Sequence, residues 1–179
     1  MARALLIIDV QNDFASPDGA LSVRGGEEIL HRVNELAAGG GFDLVVATRD
    51  WHPEDHLSFK ENGGQWPRHC VQGSWGAELH PGLATGRVDM VVDKGQKRDT
   101  DGYSAFDATG LDKLLRGRGV NEVVVVGLAT DYCVRASALD AIAAGIAATI
   151  DPEAVRGVEL EPGDSERALE EVRRAATAG

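Results

Sequence analysis

Cysteine, long apolar runs and positive charge are all scarce in this sequence. Its two cysteines, Cys70 and Cys133, are too few for a disulfide scaffold and indicate a reducing, cytoplasmic setting. No apolar run approaches the roughly 20 residues that a membrane helix needs, and we expect the amino terminus to enter a strand rather than form a signal peptide. The net charge of −11 argues against nucleic acid or an anionic membrane as a partner, because either would require a basic surface.

The length and composition of the chain suit one compact domain spanning residues 1–179. The 179 residues are enough to bury a full core, and 43% hydrophobic with 26% charged residues is ordinary for a globular protein. We find no internal repeat, low-complexity segment or linker. A small molecule is therefore the expected partner, and the composition leaves open whether the chain forms a homo-oligomer.

Strand and helix patterns alternate along the chain. We predict strands at residues 2–9, 42–48, 88–93 and 121–127, a weaker edge strand at 146–151, and helices at 27–38, 111–117, from 131 onward, and at 165–176. Residues 10–24, 50–81 and 95–106 are predicted as loops. This alternation predicts an α/β fold, a three-layer αβα arrangement around a mostly parallel sheet of five to six strands.

Four residues of complementary chemistry follow four different predicted strands. Asp9, Asp50 and Lys94 come at strand ends, and Cys133 lies in the first turn of the helix that follows strand 121–127. In parallel sheets, ligands bind outside the carboxyl ends of the strands. We therefore expect these four side chains to meet at one edge of the sheet.

Three of these residues predict acyl transfer through a thioester. Cys133 is the candidate nucleophile, with its thiolate favoured by the helix amino terminus, while Asp9 is the candidate base and Lys94 the stabilising cation. Backbone N–H groups of Ala129 and Cys133 are candidates for an oxyanion hole. The alternatives are that Cys133 is a small buried hydrophobic residue and that Asp9 and Lys94 form a structural ion pair.

A carboxylate and two imidazoles predict a metal site. Asp50 and His52 flank one residue of an extended segment, so both side chains project to the same side, and His69 completes the set. Such ligands favour Zn²⁺, with Mn²⁺ and Fe²⁺ as alternatives, and leave positions open for water or a ligand. His56 is either a fourth ligand or a neighbour, and Cys70 suits the site less well than His69. The competing interpretation is that these histidines only cap a polar loop.

Aromatic side chains are predicted to line the same edge of the sheet. Phe14 and Trp66 each directly follow one of the candidate motifs, and Tyr103 lies in the loop after Lys94. Such rings can hold a flat substrate, although aromatic residues more often fill loops and cores.

With these residues in place, the sequence resembles the nicotinamidase/pyrazinamidase branch of the isochorismatase-like cysteine hydrolases. The motifs that carry the resemblance span residues 5 to about 145 in order. They are IIDVQNDF at 7–14, DWHP to HLSF at 50–59, WPRHCVQG at 66–73 and GLATDYCV at 127–134.

The resemblance implies hydrolysis of nicotinamide, and of pyrazinamide, to the acid and ammonia, as a step of NAD salvage. It also implies a divalent metal that holds the pyridine nitrogen, and a cis peptide near Leu128 and Ala129. The residues it implies are the triad Asp9, Lys94 and Cys133, the metal ligands Asp50, His52 and His69, and the ring contacts Phe14 and Trp66. Ala129 and Tyr103 are further candidate substrate contacts, Ala129 from its backbone N–H and Tyr103 from its aromatic ring.

The sequence departs from the family pattern in the loop after Lys94, and two rival functions are left open. The proline that often follows the lysine in this family is missing, which leaves the shape of the wall at residues 95–106 open. One rival is a related amidase acting on an N-carbamoyl or ureido compound, which is not expected to carry the metal motif. The other is a non-catalytic metal-binding protein that keeps the fold, and the intact triad argues against it.

Overall fold

The protein, seen in a computed structural model that describes residues 1–178, is built on one wholly parallel sheet of five strands. The strand order is β3-β2-β1-β4-β5, which confirms the predicted α/β fold. The strands are β1 (Ala2–Ile8), β2 (Leu44–Asp50), β3 (Met90–Lys94), β4 (Val120–Leu128) and β5 (Ala147–Arg156).

Helices cover both faces of this sheet and complete the three layers. Helices α1 (Asn12–Ala15) and α2 (Leu30–Ala38) lie on one face, while α3 (Leu111–Gly117), α4 (Arg135–Ala143) and α5 (Asp164–Ala178) pack on the other. In the part of the chain that the structure describes, we find no helix long and apolar enough to cross a membrane.

The central strand β1 holds the two cores together. Leu5 and Ile7 point into the core under α2, Leu6 and Ile8 point into the core under α4, and all four are fully buried. Burying each such side chain contributes about 1.5–3 kcal/mol. An uninterrupted apolar run is therefore what a strand covered on both faces requires.

Two of the segments that differ from the sequence prediction are the region after β1 and the last strand. The predicted loop 10–24 contains the short helix α1, and the weak last strand continues past residue 151 to Arg156. This extension passes through Pro152 with a register shift against β4, which an edge strand tolerates because one side of its backbone needs no partner. Ala148 and Ala154 are buried in this strand despite their small size.

The strand register places the candidate residues together. Asp50 at the end of β2 pairs directly with Lys94 at the end of β3, and Ile8, just before Asp9, pairs with Gly127 of β4. Because all five strands are parallel, these ends lie at one edge, as the topology predicted.

Candidate active site and metal site

The buried ammonium of Lys94 is the centre of the site. Its Nζ donates to Asp50 Oδ1 at 2.6 Å, to the Gly102 carbonyl at 2.8 Å and to Cys133 Sγ at 3.4 Å, and it lies 2.8 Å from Asp9 Oδ2. Burial opposes its charge, but the carboxylates of Asp50 and Asp9 outweigh burial and raise the pKa of Lys94 well above its ordinary value. Lys94 is therefore a permanent cation.

Asp9 is placed to exchange a proton with Cys133. Its Oδ1 accepts a 2.6 Å hydrogen bond from the Thr48 hydroxyl, whereas Oδ2 lies beside Lys94, whose three hydrogen bonds go elsewhere. This Oδ2 is fully buried, and the Lys94 ammonium is its ion-pair partner. Burial raises the pKa of Asp9 to about 6, against the lowering influence of Lys94. Such a carboxyl is a suitable base near neutral pH.

The thiol of Cys133 faces both charged groups. Ligating atoms of Asp9, Asp50 and Cys133 lie within 4.8 Å of one another. Cys133 lies in a turn of π-helix, Thr130–Val134, between β4 and α4, and the peptide between Leu128 and Ala129 is cis. The structure therefore brings the three predicted triad residues together at the carboxyl edge of the sheet.

The resting protonation of Cys133 differs from the sequence expectation. We expected the helix amino terminus and Lys94 to favour a thiolate. Burial instead raises the pKa of the Cys133 thiol well above its ordinary value, and the carboxylates of Asp9 and Asp50 raise it further against Lys94. Among the protein's own groups, two carboxylates face one ammonium and leave no net positive charge to hold a thiolate, so the thiol needs a base at the moment of attack.

Asp50, His52 and His69 form a second cluster beside the first. One ligating atom from each lies within 4.8 Å of the others, and Asp50 Oδ2 is 3.4 Å from His52 Nε2. Each imidazole forms a hydrogen bond to a backbone carbonyl through Nδ1. His52 Nδ1 lies 2.8 Å from the Gly95 carbonyl oxygen, and His69 Nδ1 lies 2.7 Å from that of Pro67. This leaves both Nε2 atoms free as ligands, the arrangement common around protein-bound metals.

The charges of this cluster also suit a divalent cation. Burial opposes ionisation of Asp50, but Lys94 and the two histidines outweigh it and lower the pKa of Asp50. Burial lowers the pKa of His69 to about 4, so its imidazole is neutral and can ligate. The donor set therefore fits Zn²⁺, Mn²⁺ or Fe²⁺, ions that accept mixed oxygen and nitrogen ligands.

His56 and Cys70 lie close to this cluster but have different surroundings. The His56 ring stacks on His52 with 4.0 Å between centroids, and its Nδ1 contacts Ser58 Oγ at 2.7 Å. Cys70 turns its sulfur towards the Gly76 carbonyl, 3.9 Å away. The grouped ligands are thus the three predicted residues, with His56 packed behind them.

Aromatic rings form a wall next to both clusters. The Phe14 ring lies 5.5 Å from that of His69, and Trp66 donates from Nε1 to the Tyr103 hydroxyl at 3.0 Å. Phe14, Trp66 and Ala129 are almost completely buried, and Tyr103 is half-buried. Tyr132, which we did not predict, packs against Trp66 and Tyr103 with centroids 5.0 and 5.5 Å away. Its position directly before Cys133 was the signal that could have identified it.

Three supporting residues also escaped sequence analysis. Thr48 orients Asp9, while the carbonyls of Gly95 and Gly102 bind His52 and Lys94. Thr48 lies two residues before Asp50 on the same strand, a period-two signal that could have been used. The two glycines have no such signal, because their role depends on where a loop crosses itself.

This α/β fold, with a cysteine, an acid and a lysine at the sheet's carboxyl edge, matches a known class of hydrolases. Residues 3–178 match the family model described as the isochorismatase domain. The chain therefore belongs to the isochorismatase family.

Individual members of this family are similar to the chain over nearly its whole length. A curated nicotinamidase/pyrazinamidase of Mycobacterium tuberculosis is 42% identical, over 97% of this chain and 96% of its own length. A crystal structure of Pyrococcus horikoshii pyrazinamidase in complex with zinc is 46% identical, with a TM-score of 0.89 over 98% of this chain and 97% of that one. The L. infantum protein PnC1 in complex with nicotinate is 41% identical, with a TM-score of 0.92 over 97% and 89%.

Proposed function

We propose that this protein is a nicotinamidase, an amidohydrolase that converts nicotinamide to nicotinate and ammonia. The single observation that carries the proposal is the contact of one buried lysine, Lys94, with Asp9, Asp50 and Cys133. This lysine joins the candidate triad to the candidate metal ligands. Three curated relatives at 38–42% identity over most of this chain are nicotinamidases, one of them also a pyrazinamidase, which supports the same reaction.

In the first half of the reaction, Asp9 takes the thiol proton of Cys133 on Oδ2. The sulfur attacks the carboxamide carbon, the carbonyl π electrons move to oxygen, and the nearby cation Lys94 stabilises the negative charge. Backbone N–H groups at Ala129 and Cys133 are proposed to receive that oxygen. When the intermediate collapses, Asp9 returns its proton to the departing nitrogen, which leaves as ammonia, and the acyl group stays on sulfur as a thioester.

In the second half, the ionised Asp9 removes a proton from water. The hydroxide attacks the thioester carbon, the carbon–sulfur bond breaks, and the sulfur recovers the proton from Asp9. The product leaves as nicotinic acid, which gives its proton to water to become nicotinate, and the site returns to its starting state. Lys94 remains charged throughout, because its pKa is raised so far above neutrality.

Asp50, His52 and His69 are proposed to hold a divalent ion, with zinc favoured. When bound, this ion supplies a Lewis acid that orients the ring through the pyridine nitrogen. Support comes from the two Nε2 atoms left free by their backbone partners, and from the zinc named with the P. horikoshii pyrazinamidase structure. Phe14, Trp66, Tyr103 and Ala129 are the proposed contacts of the ring.

The substrate range and cellular role follow from the same proposal. Pyrazinamide is proposed as a second substrate, because it keeps both the carboxamide and a ring nitrogen in the same relation. Returning nicotinamide to nicotinate is a step of NAD salvage, and we propose that it takes place in the cytoplasm.

An ammonia-release assay tests this function directly. Purified protein is incubated with nicotinamide, pyrazinamide or an N-carbamoyl amino acid, each with and without chelator. We expect turnover of the two aromatic amides and dependence on metal. Release of ammonia only from the N-carbamoyl compound would instead identify the rival amidase, and release from none would support the non-catalytic interpretation.

Removing a metal ligand should lower metal content and activity together. We expect His69→Ala to lose most bound metal and to raise the KM for nicotinamide, because two protein ligands bind the ion less tightly than three. The matched control is His31→Ala, since His31 lies on the surface with its side chain 86% exposed. Metal analysis and steady-state kinetics provide the measurements, and a fully active protein without a stoichiometric ion would contradict the proposed site.

Neutralising the base should slow the reaction without unfolding the chain. Asp9→Asn keeps the shape of the side chain but cannot take the Cys133 proton, so we expect kcat to fall by about 10²-fold or more. Circular dichroism checks the fold, and the rate of ammonia release at saturating nicotinamide provides kcat. A rate near that of the wild type would return Asp9 to a purely structural role.

A further inference from the structure

The loop after Lys94 crosses over itself at two glycines. Gly95 and Gly102 both have left-handed backbones, with φ of +62° and +66°. A Cβ added at Gly102 would lie 2.4 Å from the Gly95 Cα and 2.8 Å from its nitrogen, closer than real atoms approach. Only glycine at position 102 permits this crossing.

The two crossing glycines bind one group from each of the two clusters. The Gly95 carbonyl bonds His52 Nδ1 at 2.8 Å, and the Gly102 carbonyl accepts from Lys94 Nζ at 2.8 Å. A shift of either loop segment at the crossing must therefore move a candidate metal ligand, the candidate catalytic lysine, or both. Gly95 is itself pressed against His52, since a Cβ there would lie 2.5 Å from the imidazole Cε1.

This loop is held by the rest of the fold at two points, one between the crossing glycines and one after them. The Arg98 carbonyl accepts from the Leu57 N–H at 2.8 Å, and the Ala105 N–H donates to Ser137 Oγ at 2.9 Å. Ser137 is fully buried in α4, one helical turn beyond Cys133. With these two points fixed, the crossing cannot relax outward freely when its packing is disturbed.

We propose that Gly102 is a positioning residue. Its close packing on Gly95 fixes the position of the Lys94 ammonium relative to the His52 imidazole. This proposal rests on the proposed function for its kinetic consequence, but its consequence for metal binding is independent of any amidase activity. Residues that orient metal ligands typically change metal affinity or activity by about 10–100-fold when altered.

The test is Gly102→Ala, with metal affinity and kinetics measured separately. We expect the dissociation constant for Zn²⁺, measured by titration without substrate, to rise about tenfold or more. We also expect kcat at saturating zinc and nicotinamide to fall by a similar factor. Excess zinc refills the metal site, but it does not return the Gly102 carbonyl to the position in which it accepts the hydrogen bond from Lys94. If excess zinc restores full kcat, or if neither the dissociation constant nor kcat changes, the proposed positioning role of Gly102 is overturned.

The matched control is Gly110→Ala. Gly110 has a similar left-handed φ of +75°, but a Cβ there would meet no atom of the described chain within 4 Å. It therefore carries the same backbone strain without the clash, and both zinc affinity and kcat should stay at wild-type values. An equal loss in this control would assign the effect to backbone strain alone and overturn the proposal.

A second variant covers the case in which Gly102→Ala does not fold, as judged by thermal unfolding of the metal-free protein. Ser137→Ala adds no atom but removes the acceptor of the Ala105 N–H, which loosens the same loop at its end. Zinc affinity and kcat should then fall together, by a smaller factor than the crossing itself would give. Wild-type values of both would overturn the proposal, whereas an inactive wild type with normal zinc binding would reject only the proposed function.

Discussion

Cys133→Ala should reduce ammonia release from nicotinamide by at least roughly 10³-fold, because covalent catalysis cannot proceed without the sulfur. The thiol is the only group at this point of the described site that can carry the acyl group, and it lies 3.4 Å from the Lys94 ammonium. The substitution removes one buried atom from the packing of the π-helical turn, so the fold should persist. Single-turnover measurement of ammonia, with circular dichroism on the same sample, checks both statements.

The control for this prediction is Cys70→Ala. It removes the second buried thiol of the chain, whose sulfur faces the Gly76 carbonyl rather than Lys94. Turnover of the Cys70 variant should stay close to that of the wild type. If the Cys133 variant retains a substantial share of the wild-type rate, nucleophilic attack by this thiol is ruled out.

Lys94→Met should lower the free energy of unfolding by roughly 3–5 kcal/mol and stop turnover, because removing one member of a buried ionic cluster leaves its partners uncompensated. Methionine keeps the length of the stem, but Asp9 and Asp50 then face each other without a cation. Chemical denaturation with chelator present in both samples measures the change without a contribution from bound metal. The control is Lys97→Met, three residues further along and exposed.

The stability deficit of the Lys94 variant should depend on pH. Without the ammonium, burial is unopposed and holds the folded-state pKa of Asp9 above its ordinary value of 3.8, at or beyond the value of about 6 seen with Lys94 present. A higher folded-state pKa of Asp9 separates the variant from the wild type only above the wild-type value of about 6, because below it both folded states bind the same proton. The deficit should therefore be smallest below pH 6 and grow as the pH rises from 6 towards 8. A deficit that is constant over this range would show that lost packing, rather than charge, is responsible.

Much of the fold could be predicted because its signals are local. The apolar runs of β1 and β4 and the helical spacing after Cys133 each lie within a few neighbouring residues, and alternation of such patterns restricts the topology to a parallel sheet. The short helix α1 and the extension of β5 to Arg156 were missed, since neither has a strong pattern of its own. Their form depends on packing against residues far away in the chain.

The sequence alone determined which chemical groups this protein presents at one edge of its sheet: a thiol, an acid, an amine, and a carboxylate with two imidazoles. Residue type and position after a strand are enough for all of these groups except the imidazole of His69, which lies in a loop, because parallel strands all end on the same side. Tertiary structure alone decided how those groups act on each other. Whether Cys133 rests as a thiol, and which carbonyls fix Lys94 and His52, depends on burial and on distances between residues that are far apart in the chain, such as Asp9 and Cys133. Electrostatic interactions depend on separation in space, which the order of residues does not express.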